Sequence, residues 1–145
     1  MTYERIEMTD PLYAQERELR NRVLLRPIGI PDFGWEMFDT KSAHFVAIDD
    51  DRVVGCALLN IHDEGPTNGR LMQMAVDGQW QGQGVGKRLV EVLCVHGSQI
   101  GLHEITCHAR TVVADFYRKL GFEAYGQPFL EAEVEHLHMR IKLTR

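Results

Sequence analysis

Gln81-Gly82-Gln83-Gly84-Val85-Gly86-Lys87 lies between the apolar run Leu71-Met72-Gln73-Met74-Ala75-Val76 and a stretch in which Val85, Leu89, Val92, Leu93 and His96 recur at helical spacing. Glycines let a backbone turn tightly and approach a ligand with no Cβ in the way, so several N–H groups can point at one anion. A helix that follows such a loop adds its free N-terminal amides and the positive end of its dipole. The layout is therefore that of a phosphate-binding loop between a strand and a helix. Two nucleotide readings fail on the residues. A P-loop needs Gly-Lys followed by a hydroxyl residue for magnesium, and Gly86-Lys87 is followed by Arg88. A dinucleotide fingerprint begun at Gly82-Gln83-Gly84 puts Lys87 where its third glycine belongs, and no βαβ unit with a ribose-binding acid follows.

What remains, Gln-x-x-Gly-x-Gly over Gln81 to Gly86, resembles the acetyl-CoA pyrophosphate loop of the GNAT superfamily of N-acetyltransferases. A second signature stands downstream in the right order. Phe116-Tyr117-Arg118-Lys119-Leu120-Gly121-Phe122 is similar to the family's Phe-Tyr-x-Lys-x-Gly-Phe helix end. On the residues alone, Thr111 is a candidate N-cap, Val113, Phe116 and Leu120 recur at helical spacing, and Gly121 sits where a left-handed residue closes a helix before Phe122 folds back.

The rest of the chain fits around these two motifs. Its 145 residues match one ordinary domain with one core. Strands are expected over 2–8, 43–48, 52–60, 70–76, 104–110, 123–129 and 135–143. Asp10 and Pro11 open a first helix whose inner face is Leu12, Leu19 and Val23. The connection from Arg26 to Ser42, with Pro27, Gly29, Pro31 and Gly34, reads as a loop with a helical turn around Trp35 to Phe38. The expected class is mixed α/β (α+β): one central twisted sheet with flanking helices. The charged start, the lack of a long apolar run and three cysteines without C-x-x-C spacing suit the cytoplasm, with no membrane partner. The net charge of −5, with acidic groups at Asp49 to Asp51, Asp63-Glu64 and Glu131, Glu133, Glu135, argues against nucleic acid and leans toward a cationic acceptor.

The resemblance implies acetyl-CoA as co-substrate and a sheet that splays beside the loop. Met74, Ala75 and Val76 would hold pantetheine by main-chain atoms. Gln81, Gly82, Gln83, Gly84, Val85, Gly86 and Lys87 would take the pyrophosphate, and Phe116 would line the cofactor groove. Tyr117 is the family's tyrosine for the departing thiolate, although the asparagine many members carry seven residues earlier is Arg110 here. His136 matches the histidine of a Pro-His-x-x-Met ending in which Glu135 replaces the proline. No general base is visible, because the motif strand offers only Gln73, which takes no proton. Glu36, Asp39 and His136 are the candidates around the amine, with Gln73 beside it, and a water wire is the alternative. His136 and His138 share one strand face, but no pattern ties a third metal ligand to them, so no metal is expected. The acceptor would be an amine on a small molecule or peptide. A non-catalytic acyl-CoA sensor of the same fold is the second reading; transfer to a hydroxyl and a structural homodimer are remoter ones.

Overall fold

A computed structural model of the chain describes residues 1–61 and 65–143; the acidic pair Asp63-Glu64 and His62 lie outside them. Seven strands form one sheet in the order β1-β2-β3-β4-β5-β7-β6. They are β1 (Thr2–Ile6), β2 (Ser42–Asp49), β3 (Arg52–Ile61), β4 (Asn68–Val76), β5 (Glu104–Arg110), β6 (Glu123–Glu131) and β7 (Val134–Lys142). Neighbours are antiparallel except β4 and β5, which run parallel. The helices are α1 (Leu12–Arg20), α2 (Val85–Gln99) and α3 (Ala114–Lys119).

The sheet is covered on both faces, which explains why β3 is buried along nearly its whole length instead of alternating. Leu19 of α1, with Leu12 and Val23 beside it, packs on Val46, Val53, Cys56 and Ala75. On the opposite face Leu89 and Leu93 of α2 and Tyr117 of α3 meet Phe45, Ala57, Leu71, Ile105, Cys107 and Met139. No described helix is long and apolar enough to cross a membrane.

The first helix opens as its residues dictate, with Asp10 Oδ1 accepting from the Leu12 amide at 2.8 Å. It then runs on as a π turn (Asn21–Leu25) and a 3-10 turn (Arg26–Ile28) that stops at left-handed Gly29. Two local expectations are corrected. The helical turn placed at Trp35 to Phe38 forms instead at Asp39–Lys41, where Asp39 is held by buried partners described below. Thr111 does not cap α3; it starts a 3-10 turn and its hydroxyl donates to Glu135 Oε1 at 2.9 Å on β7. The buried positions of α3 are accordingly Ala114 and Tyr117, while Val113 is exposed. The helix end is as read: Gly121 has φ +102° and the Phe122 amide donates to the Tyr117 carbonyl at 3.1 Å.

Candidate functional site

Strands β4 and β5 pair only from Asn68↔Glu104 to Leu71↔Cys107. Beyond that point they diverge, and the β4 edge facing β5 is unpaired from Met72 to Val76. The cause lies on the other edge of β4. The register with β3 shifts between Cys56 and Leu58, and Gln73 stands opposite the shift with φ +51°. Such a bulge bends its strand away from a straight ladder. Gln73 is pinned there: its side-chain amide donates to the Trp35 carbonyl, its own carbonyl lies 3.5 Å from Cys56 Sγ, and its Oε1 is buried without a partner.

The fork opens into a cavity of about 820 Å³, large enough for a cofactor arm and a small acceptor. Met74, Ala75 and Val76 form one wall, and Gly82, Gly84, Val85, Gly86 and Lys87 line it beside them. Gly84 has φ +84° with open space on its Cβ side, a conformation that disfavours any side chain. The first bond of α2 is Arg88 N to Gly84 O at 3.0 Å. The amides of Val85, Gly86 and Lys87 precede it, so they have no helical acceptor and are available to an anion. Gly86 is also where α2 meets α3, since a Cβ there would lie 3.3 Å from the Phe116 ring. Gln81 lines the cavity but its amide braces the loop, donating to the Val76 carbonyl at 3.0 Å. Gln83 turns to the Gln79 carbonyl and does not line the cavity.

Tyr117 lines the far side and is packed edge-on between Phe116 and Phe122. Burial raises its pKa well above the ordinary tyrosine value, so the hydroxyl holds its proton at any working pH. His136 also reaches the cavity; its Nδ1 donates to the Val134 carbonyl at 2.7 Å, which leaves Nε2 toward Glu131 Oε2 at 3.5 Å.

The two expected loop carboxylates sit elsewhere, and neither lines the cavity. Glu36 is held bidentately by Arg17 at 2.7 and 2.9 Å. Asp39 is 2% exposed and takes the Arg20 guanidinium at 3.0 Å, the Tyr13 hydroxyl beside it. Glu16, Asp39 and His44 bring ligand-type atoms within 4.8 Å of one another, but Arg20 bonds both carboxylates and already supplies the cation.

In their place stands a group that strand periodicity alone does not assemble. His108, the first β5 residue past the last β4 pair, has Nδ1 at 2.7 Å from Arg70 Nη2 and 3.1 Å from Glu131 Oε1. Glu131 ends β6 at a tight turn in which Ala132 and Glu133 both have positive φ, so the chain reverses and sets Glu131 beside His136. Phe129 stacks on His138 at 4.1 Å and meets His108 edge-on at 4.9 Å. The histidine face of β7 is therefore covered by an aromatic ring as well as open to the cavity.

A family model described as an acetyltransferase (GNAT) domain matches residues 33–143. Over 57 residues the chain is 44% identical to GCN5-related N-acetyltransferase 2, chloroplastic, of Arabidopsis thaliana, spanning 39% of this chain and 22% of that protein. It is 26% identical over 93 residues to an uncharacterized acetyltransferase in the arcA 3' region of Streptococcus pyogenes, covering 64% of this chain and 62% of that one. The chain thus spans less than two thirds of both curated relatives. Among solved structures, an aminoglycoside 6'-N-acetyltransferase complexed with coenzyme A superposes with a TM-score of 0.84 at 18% identity, over 100% of this chain and 98% of that one.

Proposed function

The chain belongs to the GNAT acetyltransferase family, and from that premise we propose a single-domain enzyme that moves acetyl from acetyl-CoA to a primary amine of a small molecule or peptide. The carrying observation is one cavity that joins the unpaired β4 edge, the free amides at the start of α2 and the buried Tyr117 hydroxyl. Pantetheine completes the sheet along Met74 to Val76. The amides of Val85 to Lys87 take the pyrophosphate, with the Lys87 ammonium as a point charge over it. An N–H of the same strand polarises the thioester carbonyl, a contribution of about 3–4 kcal/mol when a donor is aimed at developing charge.

Transfer is direct. Desolvation pushes the half-buried thiol of Cys94 and the buried thiol of Cys107 up to about 11 and about 12, so neither is a thiolate that could carry the acetyl group. The amine lone pair attacks the carbonyl carbon, the C–S bond breaks, and Tyr117 gives its proton to the departing sulfur and recovers one from the acylated nitrogen. The sensor alternative keeps the groove but has no use for a protonated tyrosine at the fork. The three free thiols fit a cytoplasmic setting, where acetyl-CoA is made and used.

Calorimetry with acetyl-CoA and thiol release against polyamines, aminoglycosides and lysine peptides tests the reading. Gly84→Asp is expected to weaken acetyl-CoA at least about 100-fold, since it strains the turn and sets a carboxylate against the pyrophosphate. Tyr117→Phe is expected to lower turnover about 100-fold at unchanged acetyl-CoA affinity. Tight acetyl-CoA binding with no thiol release for any amine supports the sensor instead.

A further inference from the structure

We propose that His108 and Glu131 form the proton-accepting pair of the acceptor pocket, Glu131 docking a cationic amine and His108 storing the proton the amine loses before attack. The inference rests on the acetyl-transfer reading above. It is carried by one nitrogen that has two incompatible neighbours. His108 Nδ1 lies 2.7 Å from a guanidinium donor and 3.1 Å from a carboxylate oxygen. When Arg70 donates to Nδ1, the ring is neutral and its lone pair is engaged. When Nδ1 carries a proton, it donates to Glu131 as an ion pair and the Arg70 contact becomes cation against cation. The site therefore has two proton states, each with one good partner.

The resting state is the neutral one. Burial lowers the His108 pKa; Glu131 opposes this, but Arg70 and His138 push further down, and the net shift is downward. The charged and titratable groups that face it are Arg70 on β4, Glu131 on β6, and His136 and His138 on β7. Arg70 is already imperfectly held, with its Nε buried and unpartnered. Glu131 is 40% exposed, so an amine can reach it from the cavity, while His108 is more deeply set behind it. The Nε2 of His136, 3.5 Å from Glu131 Oε2, completes the acceptor side.

Protons balance along this route. An ammonium N–H donates to Glu131, and one proton passes through the carboxylate to His108 Nδ1 and later to solvent. The freed lone pair then forms the C–N bond. The second nitrogen proton reaches the thiolate through Tyr117, so one amide, one thiol and one released proton result.

The test is steady-state kinetics with the cationic amine that turns over fastest in the panel, with acetyl-CoA affinity measured on every variant as the check of folding. Glu131→Gln and His108→Gln should each lower kcat/KM for that amine about 100-fold and leave acetyl-CoA affinity within twofold. Glu131→Asp should retain part of the rate. The Glu131→Gln defect should shrink with an acceptor whose amine is already neutral at the assay pH, because no proton then has to be removed. Wild-type turnover with both Gln variants within threefold of it and an unchanged pH profile overturns the pair and leaves acetyl transfer standing. Absence of wild-type turnover overturns both.

Discussion

The molecule holds two groups of charged side chains around histidines, and they differ in whether their valences are filled. In the first, Glu16, Arg20, Asp39 and His44 are each 2% exposed or less. Arg20 bonds Glu16 at 2.6 Å and Asp39 at 3.0 Å; His44 Nδ1 meets the Glu16 carboxylate at 3.0 Å and its Nε2 meets the Asp39 carbonyl at 2.8 Å. Both ring nitrogens face acceptors, so the ring is an imidazolium and the four groups sum to zero charge. In the second, His108, Glu131 and His136 line the cavity while Arg70 reaches His108 from β4, so one ring nitrogen has two neighbours for a single proton site. A buried network with every bond made fixes a structure, whereas one with a contested proton can do chemistry. The closed group ties α1 to β2 and to the turn at Asp39, which sets the connection carrying Trp35 and its hold on Gln73.

The largest effect expected is on the closed group. Arg20→Leu strands two buried carboxylates and should cost about 3–5 kcal/mol of stability in urea unfolding. A loss no greater than that of an exposed ion pair, under about 1 kcal/mol, would erase the contrast. A crossed pair sharpens it: Glu16→Gln should lower stability by about 1–3 kcal/mol and leave the kinetics near wild type. Glu131→Gln should do the reverse, with its roughly 100-fold loss in kcat/KM and little change in unfolding midpoint.

The smallest effect lies in pH dependence, where the two histidines shift in opposite directions. For His44, burial lowers the pKa, but the Glu16 hydrogen bond and charge, with help from Asp39, outweigh it and the net shift is upward. Its contribution to stability is therefore whole below the unfolded value near 6.5 and fades as pH rises through the folded pKa. His44→Asn should flatten that upper limb in a series of unfolding curves. His108 is shifted down, so the rate should fall only below the ordinary histidine range. Removing a cation that depresses it, by Arg70→Gln, should move the rising limb of kcat/KM to higher pH. A limb that stays in place separates His108 from the rate.

Which residues could be read from the sequence follows from how local their signals are. Gly84, Gly121 and Phe122 carry backbone geometry within a few residues, and each behaves in the fold as its position implies. Asp10 is likewise a local cap. Thr111 gave the same local signal and was captured by Glu135 on a strand 24 positions away, since a hydroxyl takes the better acceptor that tertiary packing supplies. Glu36 and Asp39 read as free carboxylates in a polar loop only because Arg17 and Arg20, some twenty positions earlier, are invisible as their partners until α1 is laid beside them.

Sequence by itself determined the family, the strand–loop–helix whose first amides are left without helical acceptors, and the place of Tyr117 on α3, because these depend on short-range backbone requirements and on motif order. Tertiary structure alone decided which carboxylate faces the cavity. Glu131, His108 and Arg70 come from three strands and meet only because β7 lies between β5 and β6 and a two-residue turn reverses the chain after Glu131. Their chemistry depends on distances of about 3 Å between residues 23 and 38 positions apart, and no periodicity in the chain encodes a separation of that kind.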